Sequence, residues 1–157
     1  MRTVSVVALA LAALASTVSA LINGHVINNC PMTIYARPAT CSDTGTETIP
    51  IGPGESWTHP QPADNDDCNR AIKLSADTVI DSEGASVYNI EYVQSNDDLW
   101  YNLSHDAGNP FTEYARTLTV SSCSESLHCA AGNDGSACDY PMLYDCMNAG
   151  DVHFQLC

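Results

Sequence analysis

Eight cysteines, Cys30, Cys41, Cys68, Cys123, Cys129, Cys138, Cys146 and Cys157, constrain this chain most, because all of them follow an apolar leader. Arg2 precedes the apolar run 6–15, and the small residues Ser16, Val18, Ser19 and Ala20 come next. That pattern is a secretory signal peptide. Val18 and Ala20 fit a cleavage site after Ala20, which makes 1–20 the signal peptide and 21–157 one mature domain. The apolar run is too short for a membrane anchor, which needs ~20 residues. An even cysteine count in an exported chain reads as four disulfides. Each contributes ~2–4 kcal/mol against a typical net stability of ~5–15 kcal/mol, so the bridges are expected to be structural.

Eight cysteines allow roughly a hundred pairings. One stands out: Cys30 follows "HVINN" and Cys157 closes "DVHFQLC". A Cys30–Cys157 bridge would tie the first strand to the last and close nearly the whole chain, where loop entropy predicts the largest effect. The rival use of cysteine, a metal centre from Cys123, His128, Cys129 and Cys138, lacks any C-x-x-C pair or H-x-x-x-H helix. No metal and no cofactor are expected.

Charge narrows the partners. With 19 acidic residues against 5 basic ones, the chain is ill suited to nucleic acid or anionic membranes, whose phosphates are bound by Lys and Arg. The charge is silent about neutral polysaccharide.

From Ile22 onward, period-two segments alternate with turn signals and no helical stripe appears. Strands are expected at 25–29, 32–38, 47–51, 56–59, 70–77, 86–94, 99–105, 116–121 and 151–156. Turns fall at Gly52-Pro53-Gly54, at the Asp64 to Asp67 run, at 82–84 and at 107–110. Nine short strands imply an all-β sandwich or barrel. The stretch 122–150, with four cysteines and only short apolar runs, reads as a loop pinned by its own bridges.

The segments "VINNCPMTIYARP", "IPIGPGESW" and "IEYVQSNDDLWYNLSHDAGNPF", with the terminal cysteine after a strand, resemble the small fungal thaumatin-like secreted proteins, the antigenic or yeast-phase-specific family. The resemblance covers the mature chain in order and implies a thaumatin-like β-sandwich, secretion, and a role at the cell wall or a host surface. Larger thaumatin-like proteins carry an acidic cleft credited with β-1,3-glucan binding and sometimes weak hydrolysis. By motif position Glu91 corresponds to the cleft Glu and Asp106 to one cleft Asp, while the other Asp is Asn102 here. Arg70 is the candidate for the cleft Arg.

Register counting sharpens this segment. If 95–98 connects two strands, Gln94 faces Leu99, Tyr92 faces Tyr101 and Ile90 faces Leu103 on an apolar face. The other face then sets Glu91 across from Asn102 and Val93 across from Trp100. Glycosidases hold their carboxyls ~5–9.5 Å apart, whereas 102–106 spans ~13 Å if extended, so Glu91 and Asp106 would converge only if the chain bent near Ser104. Asn102 can serve neither as acid nor as base. Asn102-Leu103-Ser104 is also the chain's only N-x-S/T sequon, and a glycan there would cover the cleft.

Other constellations are weaker. The five histidines are scattered in sequence, with no G-x-S-x-G elbow beside them. Cleavage would expose Leu21, not His, which argues against an N-terminal histidine copper brace. Asp64, Asp66 and Asp67 lack the rest of a calcium loop and read as a solvated turn. The expected protein is a secreted, extracellular or wall-associated monomer. It binds cell-wall polysaccharide or a host surface component through Trp100, Glu91, Asn102 and Asp106, as a β-glucan binder, antigen or effector. The alternative is a weak endo-β-1,3-glucanase using Glu91 and Asp106.

Overall fold

The computed structural model describes residues 21–42, 47–80, 82–96, 98–121, 123–147 and 150–157. The expected signal peptide, 1–20, lies outside them. Eleven strands form among the described residues: β1 (Gly24–Asn28), β2 (Ile34–Thr40), β3 (Ile49–Ile51), β4 (Ser56–Thr58), β5 (Arg70–Ser75), β6 (Val87–Ser95), β7 (Asp98–Asp106), β8 (Arg116–Val120), β9 (Ser126–Cys129), β10 (Leu143–Met147) and β11 (Val152–Leu156). No described helix is long and apolar enough to cross a membrane.

The strands make two sheets, one of five strands in the order β4-β1-β11-β8-β9 and one of six in the order β10-β7-β6-β5-β2-β3. Alternation explains why they stack. In β1 and β8 every second side chain is buried, and a period of two puts those residues on one face. Val26, Leu118 and Phe154 from one sheet meet Ile72, Ile90, Tyr92, Tyr101 and Leu103 from the other in a shared core. The contact is close enough that a Cβ on Gly24 would lie 2.5 Å from the Tyr92 hydroxyl, so β1 passes the six-stranded sheet only because residue 24 has no side chain. Pro38 sits in β2 opposite Ile72 of β5, beyond the reach of β3, which pairs only with 34–36. A proline is tolerated where one strand edge is open.

The bridges are Cys30–Cys157, Cys41–Cys68, Cys123–Cys146 and Cys129–Cys138. The first joins the ends of β1 and β11, which run parallel as neighbours. Because every cysteine is oxidised, Cys123, Cys129 and Cys138 are not thiolate ligands. The two bridges within 122–150 lie where a bridge-pinned loop was expected, but the segment also contains two strands. β9 extends the five-stranded sheet beside β8, and β10 extends the six-stranded sheet beside β7. β10 buries none of its residues, so it carries no hydrophobic alternation to read.

Arg116, fully buried, braces the turns behind the sheets. Its guanidinium donates to the carbonyls of Phe111, Tyr114 and Asn133 and lies 5.3 Å from the centre of the Tyr88 ring, a cation–π distance. Tyr88 in turn donates to Asp139 at 2.6 Å, and His105 Nδ1 stands 2.7 Å from the other oxygen of that carboxylate.

Candidate functional site

The β6–β7 hairpin has the expected register: Ile90 faces Leu103, Glu91 faces Asn102, Tyr92 faces Tyr101, Val93 faces Trp100 and Gln94 faces Leu99. Pairing continues one step further, to Ser95 opposite Asp98, so the connection is shorter than four residues. Asn96 takes the left-handed backbone (φ 50°) that such a tight turn demands.

Register then builds the outer face of the six-stranded sheet row by row. One row runs Ala39, Ala71, Glu91, Asn102, Leu143, and the next runs Arg37, Lys73, Asn89, Ser104. A third sets Val93, Trp100 and Asp145 side by side. Trp100 is 37% exposed and neighbours Leu143 and Met147, both exposed, on β10.

Glu91 is the hub of the polar part. Its Oε2 accepts from Asn102 Nδ2 and from Ser104 Oγ, each at 3.0 Å. Asn89, only 6% exposed although on this outer face, donates to Ser104 Oγ at 3.3 Å and to Asp106 Oδ2 at 3.1 Å. β7 does not bend near Ser104. It stays paired with β6 from Asp98 to Asp106, and among the described residues Asp106 is linked to Glu91 through Asn89 and Ser104. Those two side chains occupy the gap between the carboxylates, where a glycosidase would hold water or a glycosidic oxygen.

Arg70 is not on this face. It belongs to the inner side of β5, 6% exposed, where its guanidinium pairs with Asp66 at 2.7 Å and donates to the carbonyls of Pro62 and Cys68. That ion pair holds the Asp66 carboxyl below its ordinary range, chiefly through the Arg70 hydrogen bonds, and gives the Asp64–Asp67 turn a structural role. The cations on the Glu91 face are Arg37 and Lys73. Both lay outside the sequence-based expectation, together with the whole β10 flank, because alternation identifies a strand's faces but not its neighbours.

Over residues 11–157 the sequence matches the family model described as Bys1, Blastomyces yeast-phase-specific protein. No curated protein matches it. Among solved structures, the chain is similar to the protein elicitor MoHrip2 from Magnaporthe oryzae, with a TM-score of 0.70 and 23% identity over 87% of this chain and 98% of that one. It is also similar to a thaumatin-like xylanase inhibitor, with a TM-score of 0.55 and 13% identity over 85% of this chain and 98% of that one. At these identities the likenesses concern the fold, which is the thaumatin-like sandwich.

Proposed function

We propose that this chain, which belongs to the Blastomyces yeast-phase-specific protein family, acts outside the cell as a binding protein. Its ligand in this reading is β-glucan or a related neutral polysaccharide of a cell wall or host surface. The observation that carries the reading is the pairing of exposed Trp100 with the Glu91–Asn102–Ser104 cluster one row away. An indole face stacks on the C–H face of a pyranose, and a carboxylate and amide beside it answer the ring hydroxyls. Binding clefts commonly join an apolar platform to a few fixed polar groups in this way.

The same cluster argues against hydrolysis. A general acid needs an environment that raises its pKa. Glu91 instead has its Oε2 engaged by Asn102 and Ser104, and its partner across the sheet is an amide that can serve neither as acid nor as base. Likeness in fold to an elicitor and to an enzyme inhibitor supports a binding or effector role without naming a ligand. Four disulfides support an extracellular setting, since such bridges persist in oxidising compartments.

The test is co-sedimentation of the exported protein with insoluble β-1,3-glucan, alongside a reducing-sugar assay on laminarin. Retention without sugar release supports binding. Release that is lost in Glu91→Gln would instead establish the glucanase, and neither retention nor release would remove this polysaccharide from consideration.

A further inference from the structure

The outer face of the five-stranded sheet carries a second cluster that sequence spacing conceals. Register aligns Thr58, His25, His153, Thr119 and Ser126 across five strands. The His25 and His153 rings stack with centroids 4.8 Å apart and planes 13° from parallel. Asp151, two residues before His153, puts Oδ2 3.4 Å from His25 Nε2. One ligand atom from each of these three residues falls within 4.8 Å of the others.

We propose that His25, Asp151 and His153 form a binding site for a borderline divalent transition-metal ion, zinc or copper(II) in type, with solvent completing its coordination. Two imidazoles and a carboxylate are the donor set such ions prefer, whereas calcium and magnesium take oxygen alone. Three protein ligands plus an open position is the pattern of accessible zinc sites. Ligand distances of ~2.0–2.2 Å place neighbouring donors ~3.3–3.6 Å apart around a tetrahedral ion, close to the observed spacing of His25 and Asp151. All three residues are half-buried, so an ion can enter from solvent and keep water.

The surroundings orient each donor, as the outer shell of a metal site does. Thr58 Oγ1 lies 2.9 Å from His25 Nδ1 and Ser121 Oγ 3.2 Å from His153 Nε2. Asp151 Oδ1 accepts from the Asn23 backbone and side chain at 2.8 and 3.0 Å, leaving Oδ2 toward His25. A hydroxyl both donates and accepts. Thr58 can therefore accept a hydrogen bond from His25 Nδ1–H in the tautomer that leaves Nε2 free for the ion, the neutral ring keeping its one proton. The two strands are fixed relative to each other by their parallel ladder and by the Cys30–Cys157 bridge at its far end, so the backbones that carry the three donors are held together before any ion arrives, and side-chain rotation closes the remaining spacing.

The experiment titrates the oxidised, full exported chain with zinc alone and with copper(II) alone, by calorimetry and thermal shift. One ion per chain and a raised Tm are expected, because an ion that binds the folded state alone stabilises it. His25→Ala and His153→Ala should each weaken binding at least tenfold. Asp151→Asn, which keeps an acceptor for Asn23, should do the same without unfolding the chain. His128→Ala, on the same face but outside the cluster, should bind as the parent does. With copper, two nitrogen couplings in the electron paramagnetic resonance spectrum should fall to one in His153→Ala. No binding at millimolar metal, or affinity unchanged in the His25 and His153 variants, would overturn the proposal.

Discussion

Glu91 and Asn102 face each other across the β6–β7 ladder and share a 3.0 Å hydrogen bond in which the amide donates to the carboxylate. That bond replaces what would be a carboxylate pair in an acidic cleft. Asn102→Asp would place two like charges in direct contact and remove the donor. The variant should lose about 1 kcal/mol at pH 7, read from thermal melts of both proteins at that pH. Equal stability at pH 7 would mean that Glu91 does not depend on its partner.

The covalent tie between Cys30 and Cys157 closes 127 residues of sequence separation and clamps the parallel β1–β11 pair. Replacing both cysteines with alanine should cost about 2–5 kcal/mol, read from guanidinium unfolding under oxidising conditions. The loss should exceed that from removing Cys129 and Cys138, whose separation is 9, if loop entropy governs the effect.

Asp139 is a buried carboxylate, 4% exposed, held by Tyr88 and His105. Burial, and then the Asp139 carboxylate, push the Tyr88 hydroxyl well above its ordinary range, so it remains a proton donor at every pH where the protein folds. Tyr88→Phe removes that donor and leaves the carboxylate short of a partner. A loss of about 1–3 kcal/mol is expected, with the outer sheet face and any glucan retention unchanged.

His59 gives the fold a pH dependence with a definite sign. Burial first, and the nearby Arg70 charge to a smaller degree, hold its pKa below the ordinary 6.5, despite the Gln61 and Ala39 carbonyls, which favour the cation. The unfolded chain therefore takes up a proton near pH 6.5 while the folded chain resists. Stability from this residue is complete above pH 6.5 and declines as the pH falls through that value toward the folded pKa. His153, lowered by burial and by His25, acts in the same direction. Tm measured from pH 7.5 to 5 should fall, and His59→Gln should flatten part of that slope.

These cases separate what the residues disclosed in order from what only pairing could supply. The Glu91–Asn102 register was legible because alternation on both sides of a short turn fixes every opposite pair. Cys30 and Cys157 were legible as neighbours because each ends a terminal strand. β10 was not, since its residues stay at the surface and leave no hydrophobic signature. Its absence hid the Leu143 and Met147 flank of Trp100. Arg37 and Lys73 were missed on the Glu91 face because strand order is a property of the sheet and not of any one strand. For the same reason His25 and the Asp151–His153 pair looked scattered, His25 and Asp151 being 126 positions apart.

In the proposed function the Trp100 face binds polysaccharide without cleaving it. Its most direct test is a depletion isotherm on insoluble β-1,3-glucan, comparing the parent with Trp100→Ala and with Trp57→Phe as a tryptophan control away from that face. Saturable retention is expected of the parent and the control, at least a tenfold loss in Trp100→Ala, and no reducing sugar from any of them. Retention that is the same in Trp100→Ala as in the parent would contradict it.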